Sequence, residues 1–253
     1  MIRQFLNRLL LPYKIRIVRL NGRLSELHHL LQPYNYKIQK RFLRGHGSVV
    51  SRGPFSGLQF RRDAKKLLGT YEHELHDSVE ELICFKPDVI LNIGSADGYY
   101  ALGLAKRLPE SKVFAFDLNK KFEGIISELA NRNNVTVHFF ARAFDKNDLT
   151  HVNGLKTAVV LDVEGAEMQV LETLGSSLNG MFLIIETHDI FVPDITKAVV
   201  SRLEATHEIS EIEEATKQTD LPALSAFSCL DRALLVNEFR AGKQVWLVAR
   251  PRG

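Results

Sequence analysis

The chain has 253 residues, of which 45% are hydrophobic and 25% charged, enough for one large α/β domain with an extension. Two cysteines in no metal spacing and no apolar run near the ~18 residues of a membrane span exclude a disulfide-stapled scaffold and a spanning protein. The net charge of +3 hides an asymmetry: residues 1–66 hold 15 Lys and Arg against Glu26 and Asp63, while the other 187 residues hold 18 against 28 acids. A basic arm is joined to an acidic body.

Residues 2–13 place Ile2, Phe5, Leu6, Leu9, Leu10 and Tyr13 on one helical face, and Leu20 to Leu31 reads as a second helix. The expected role of this arm is docking on the acidic body or on a second copy in a homo-oligomer. Peripheral contact with an anionic membrane is the second reading, and nucleic acid is the least favoured, since no aromatic platform is interleaved with the charges. The start is too short and too broken by Arg3 and Arg8 for a signal peptide, so the expected location is the cytoplasm, with Cys84 and Cys229 as free thiols. Residues 44–62 form a turn-rich connector. The expected domains are therefore the arm and connector, 1–62, and a body, 63–253.

The body begins with a helix within 63–85, where Leu75, Val79, Leu82 and Ile83 form a stripe and Thr70 is a candidate cap. Glu72 has two readings there: helix-dipole stabilisation in a first turn, or a carboxylate that reaches a cofactor's ammonium. Then come a strand at Val89–Ile93, a tight turn at Gly94–Gly98, a helix at Tyr99–Leu108, a strand at Val113–Phe116 and Asp117. Strand, glycine turn, helix, strand, acid is the plan of a nucleotide-type site in which the acid takes ribose hydroxyls. A dinucleotide fingerprint wants small residues at positions held here by Gly94, Ala96 and Tyr99, and the tyrosine obstructs it. Asp97 at the helix start opposes a pyrophosphate. An adenosyl cofactor without phosphates meets neither objection, so S-adenosylmethionine is favoured over NAD.

Further along, a helix at Lys120–Ala130 and a strand at Val135–Phe139 precede the loop A-R-A-F-D, where Arg142 either stacks on a base or lies on the surface. Strands at Thr157–Leu161 and Met181–Ile185 end in D-V-E-G-A-E and E-T-H-D, with a helix at Ala166–Leu174 between them. A helix at Asp194–Ala205, a strand at His207–Ile212, a helix near Leu230–Phe239 and a closing antiparallel strand at Lys243–Ala249 complete the chain, with Trp246 in the core. The alternation predicts a Rossmann-like, doubly wound, mostly parallel sheet, with ligands at the carboxyl ends of its strands. Asp117, Asp162, Glu164, Glu186 and His188 all fall there.

The turn N-I-G-S-A-D-G-Y-Y with A-F-D, and D-V-E-G-A-E-M-Q-V-L followed by L-I-I-E-T-H, resemble class I S-adenosylmethionine-dependent methyltransferases of the FkbM type, over about residues 69–190. The resemblance implies seven strands with the last antiparallel, O-methyl transfer, and cofactor contacts at Gly94, Ser95, Asp97 and Asp117 and around Arg142 and Ala143; Glu72, Gly98, Leu118 and Asp162 complete the expected cofactor-binding set. Asn92 departs from it, since many relatives carry an acid there.

For the chemistry, His188 has the ordinary pKa of a general base near neutrality, and Asp162 and Glu186 share its end of the sheet. This base reading needs no metal. A metal variant would use Asp162, Glu186, His188 and Asp189. The expected activity is O-methylation of a sugar or other small hydroxylated acceptor. An NAD-dependent oxidoreductase and a non-catalytic cofactor-binding scaffold are the alternatives.

Overall fold

The computed structural model describes residues 28–240 and 244–252. The predicted helix at 2–13 and most of that at 20–31 lie outside them. The first described element is a helix the hydrophobic pattern did not disclose, α1 (His28–Gly45), with Pro33 inside it. Its Ile38 and Phe42, one turn apart, pack into a small core with Leu68, Leu234 and Leu235. The connector is also structured: Val50, Phe55, Leu58 and Phe60 are buried in the main core.

The helix expected within 63–85 is two helices. Helix α2 (Ala64–Leu68) is capped by the Asp63 carboxylate and stopped by Gly69 in the left-handed region (φ 61°). Glu72 is also left-handed (φ 46°) ahead of a 3-10 turn, and α3 (His76–Phe85) starts only after it. Thr70 is therefore no helix cap; its hydroxyl donates to the Lys65 carbonyl. Glu72 is not in the first turn of a helix either.

Strand β1 (Val89–Ile93) leads through the glycine turn into α4 (Tyr99–Arg107), and β2 (Lys112–Phe116) into α5 (Lys121–Asn133). The left-handed Asn134 ends α5 one turn later than expected, so β3 is the short edge strand His138–Phe140 rather than 135–139. Strand β4 (Thr157–Leu161), α6 (Glu167–Leu174), β5 (Phe182–Thr187), α7 (Ile195–Leu203), β6 (His207–Glu213), α8 (Cys229–Val236) and β7 (Val245–Pro251) follow.

The sheet runs β3-β2-β1-β4-β5-β7-β6, with β7 antiparallel to both its neighbours and the rest parallel. This is the Rossmann-like, doubly wound sheet the alternation predicts. Successive residues of β1 alternate between two cores, Ile90 on one face and Val89, Leu91 and Ile93 on the other. Strands buried on both faces need continuous apolar runs, which is why β1, β4 and β5 read so directly.

Register positions the site. Ile93 is level with Phe116 of β2 and Leu161 of β4, and Leu161 with Ile185 of β5. The next residue on each strand is thus Gly94, Asp117, Asp162 or Glu186, side by side at one edge.

Phe55 joins the connector to the body. Its ring meets Tyr99 and Tyr100 edge-on, and a Cβ at Gly103 would lie 2.4 Å from it. Phe55→Ala is expected to cost about 3–5 kcal/mol, read as a lower urea midpoint at unchanged slope.

Candidate active site

The glycine turn is held by backbone geometry. Gly94 has φ 80°, and a Cβ there would lie 1.6 Å from the Asp162 carbonyl oxygen, so β1 and β4 meet with no room for a side chain. The Gly94 and Ser95 amides donate to the Phe116 carbonyl, and Asp162 N–H donates to the Ile93 carbonyl. Asp117 closes the turn from the other side. One carboxylate oxygen accepts from Ala96 N–H (2.9 Å) and the other from Asn119 N–H (2.8 Å).

A cavity of about 390 Å³ runs along this edge, walled by Gly94, Asp117, Leu118, Arg142, Ala143, Asp162 and Glu164 with Phe116 and Phe144. Six residues of the expected cofactor set thus come together around one space. Arg142 lies over the Phe140 and Phe116 rings, 5.1 and 5.6 Å from their centroids, and is pinned to Asp148 by two hydrogen bonds. Its charge is therefore engaged within the protein, and the remaining charged groups on the wall are acids.

Beyond Gly94 lies a second, narrower space of about 30 Å³, lined by Asn92, Ser95, Tyr99, Tyr100 and Trp246, and sharing Gly94 and Asp162 with the first. Among the described residues, four that line it have a buried side-chain atom without a hydrogen-bond partner: Asn92 Oδ1, Ser95 Oγ, Trp246 Nε1 and Asp162 Oδ1, the last also 3.6 Å from His188 Nε2. Four orphaned polar atoms around one small space are a site built for polar groups of a ligand, because leaving each unmade costs about 1–3 kcal/mol. Asn92 fits this pattern: its Nδ2 reaches towards the Val160 carbonyl while its oxygen has no partner.

Two sequence arguments need correction. Asp97 does not present a bare charge at the helix start, because Lys66 Nζ pairs with it at 2.6 Å. Tyr99 does not wedge helix from strand; its ring turns to Phe55, Phe60 and Tyr71 in the core. Gly98 lines neither space. It supplies the left-handed backbone (φ 82°) that starts α4, in contact range of Ile126.

Glu72 also lines neither space, but it stands behind the second. Its carboxylate accepts from Tyr100 and from Arg240 (2.7 Å). Arg240 also pairs with Glu186 and Glu238, and Lys217 pairs with Glu238 and Glu74. Sequence reading missed Arg240, since nothing local relates residue 240 to 72 or 186. One guanidinium cannot offset three buried carboxylates. Burial pushes Glu72 up to about 7 and Glu186 up to about 9, against the pull of Arg240. Glu238 is buried too, yet Arg240 and Lys217 together hold it below the ordinary value.

At the other end of Asp162 stands His188, 1% exposed. Its Nδ1 is 2.7 Å from Glu167 Oε1, and its Nε2 faces Glu164 (3.3 Å), Asp162 (3.6 Å) and Glu186 (4.0 Å). Burial lowers the His188 pKa, but the Glu167 hydrogen bond and the charges of Asp162 and Glu164 outweigh it and leave it raised. Burial likewise raises Asp162, to about 6, against the pull of His188. Glu167 is the orienting partner that sequence reading did not single out, although it ends the D-V-E-G-A-E run. Asp189 does not join the cluster: its carboxylate accepts from the Thr196 hydroxyl.

The fold and this site define a Rossmann-like α/β protein with a ligand cleft at the carboxyl edge of its sheet. No protein-family model matches the chain, and no curated protein matches it. Among solved structures it is similar to an rRNA methylase from Streptococcus thermophilus (16% identity, 70% of this chain and 96% of that one, TM-score 0.47). It is also similar to the Pyrococcus abyssi tRNA (uracil-54, C5)-methyltransferase in complex with S-adenosyl-L-homocysteine (19%, 74% and 38%, TM-score 0.46). A third is the precorrin-6y C5,15-methyltransferase from Geobacter metallireducens (13%, 69% and 87%, TM-score 0.45). At these identities and TM-scores the likenesses say nothing of this chain's substrate or reaction. Among the described residues, no helix is long and apolar enough to cross a membrane.

The Glu72 site has a pH signature. Its folded pKa lies above the unfolded value, so the folded state binds the extra proton, and stability falls as pH rises from about 4.5 through about 7. Glu72→Gln is expected to flatten that part of a stability-against-pH curve. Arg240→Met, which takes the guanidinium from Glu72 and Glu186 and leaves Glu238 only Lys217, is expected to cost about 3–5 kcal/mol at neutral pH.

Proposed function

We propose that the protein is an S-adenosylmethionine-dependent methyltransferase acting on a hydroxyl of a small acceptor. One observation carries this reading. The cavity beside Asp117 and the narrow space with four orphaned polar atoms share Gly94 and Asp162, so one ligand can thread both. Asp117 retains acceptor capacity for ribose hydroxyls, with Leu118 and Ala143 as apolar walls beside it. Asn92, Ser95 and Trp246 offer the donors and acceptors that an amino-acid end requires. A pyrophosphate is disfavoured because Asp117, Asp162 and Glu164 line the wall and Arg142 is engaged with Asp148. That acidic wall, rather than Asp97 or Tyr99, is what disfavours NAD.

Bound there, the cofactor would supply an electrophilic methyl group on a sulfonium. The residues do the rest. Gly94 and Asp162 bring the cleft against the His188 cluster, and Glu167 turns the imidazole towards it. Asp162 and His188 are the groups beside the cleft that would hold an acceptor hydroxyl and receive its proton, while Glu186, the third residue expected there, is turned to Arg240 with its pKa pushed up by burial to about 9. Residues 69–190 and the D-V-E-G-A-E helix start support the FkbM-type assignment, and with it a sugar or similar small acceptor.

The test is transfer of labelled methyl from the donor to molecules of a cell extract. Wild type is expected to label one acceptor, Asp117→Ala to do so with at least tenfold weaker donor dependence, and His188→Ala about 10²–10⁴-fold more slowly with donor affinity retained. No labelled product from any acceptor class, with the donor bound, would leave a non-catalytic scaffold.

A further inference from the structure

We propose that Asp162, Glu164 and His188 bind a divalent transition-metal ion at the acceptor end of the cleft. Three donor atoms, His188 Nε2, Asp162 Oδ1 and Glu164 Oε2, lie within 4.8 Å of one another. The imidazole nitrogen is 3.3 Å from Glu164 and 3.6 Å from Asp162. These separations exceed the usual N–H···O distance of about 2.9–3.0 Å. They match the spacing of ligands that share a metal: donors about 2.1 Å from one ion in a tetrahedron stand about 3.4 Å apart.

Two further observations point to a ligand. The His188 side chain is 1% exposed, and its Nδ1 is engaged by the fully buried Glu167. A carboxylate can only accept, so Nδ1 carries a proton, and Nε2 faces the oxygens of Asp162 and Glu164 with either a second proton or a metal ion between them. Among the described residues Nε2 makes no well-formed hydrogen bond, and a metal ion that displaced its proton would satisfy it together with both carboxylates. Separately, the Asp162 oxygen that faces this nitrogen is itself buried and has no hydrogen-bond partner. A histidine with its other nitrogen on a carboxylate is the usual arrangement of an imidazole metal ligand.

The sequence variant of this idea used Glu186 and Asp189. The structure turns Glu186 to Arg240 and Asp189 to Thr196, and brings Glu164 in from the β4–α6 loop instead. One imidazole and two carboxylates suit Mn²⁺ or Zn²⁺ better than Ca²⁺, which takes six to eight oxygens. Asp162 and Glu164 also wall the main cavity, so the ion's open positions would face the cleft. Its role rests on the methyl-transfer reading. The ion would polarise the acceptor hydroxyl, which loses its proton to solvent as the O–C bond forms and the C–S bond breaks, and His188 would be a ligand rather than the base. Metal binding itself does not depend on that reading.

The full chain, stripped with a chelator, is dialysed against Mn²⁺ and, separately, Zn²⁺ without methyl donor, and bound metal is measured by elemental analysis. One equivalent is expected for wild type, with at least tenfold weaker binding for Glu164→Gln and Asp162→Asn and unchanged binding for Asp189→Asn. Glu164 is exposed, so its variant keeps the fold, checked by circular dichroism. No stoichiometric metal in wild type, or wild-type affinity in Glu164→Gln, overturns the proposal and leaves a proton on Nε2. Donor binding measured on the same samples separates the two ideas. Donor bound without metal sinks only the metal site, and metal bound without donor sinks only the methyl-transfer reading.

Discussion

The contact between Gly94 and the Asp162 carbonyl is the constraint on which the site depends. A residue with any side chain cannot stand at position 94, because its Cβ would overlap the backbone of β4. With glycine there, the ends of β1 and β4 close up, and the turn's amides are tied to β2 through Phe116 and Asp117. Asp162 then becomes a common wall. It faces the cleft on one side and His188 on the other, so a bound ligand and the acid cluster are neighbours by construction.

Around that contact the protein concentrates charge it does not fully neutralise. Arg240 is shared by Glu72, Glu186 and Glu238, and His188 by Asp162, Glu164 and Glu167. The first group is buried, the second has His188 and Glu167 buried, Asp162 partly so and Glu164 exposed, and in both the acids outnumber the bases. Such an arrangement is poor for stability on its own account. The excess of negative charge would favour a cation in the neighbouring cleft, as both proposals require. The raised pKa values of Glu72, Glu186 and Asp162 express the same excess.

Much of the sheet was legible because β1, β4 and β5 are buried on both faces and therefore written as unbroken apolar runs. The strand-end acids followed from that reading, and register then put Asp117, Asp162 and Glu186 on one edge. What was illegible has a physical reason in each case. Helix α1 contributes only a narrow buried stripe, Ile38 and Phe42, and carries Pro33. The break at Glu72 depends on a left-handed backbone held by residues 166 and 168 positions away, Glu238 and Arg240. Lys66 beneath Asp97, and Arg240 across Glu186, are partners brought by tertiary packing, with no periodicity to announce them. Glu167 stood within a recognised motif, but its burial under His188 required α6 to be placed.

Trp246 is the only tryptophan of the chain, and its unpartnered indole nitrogen lines the narrow space behind Gly94. Its indole N–H resonance, in protein labelled with ¹⁵N at tryptophan, therefore reports directly on whether that space receives the polar end of a ligand. Titration with S-adenosylmethionine should shift this single resonance to saturation, while NAD leaves it in place. A shift with NAD, or none with S-adenosylmethionine, would contradict the account of a cleft shaped around Gly94 and Asp162 for a methyl donor.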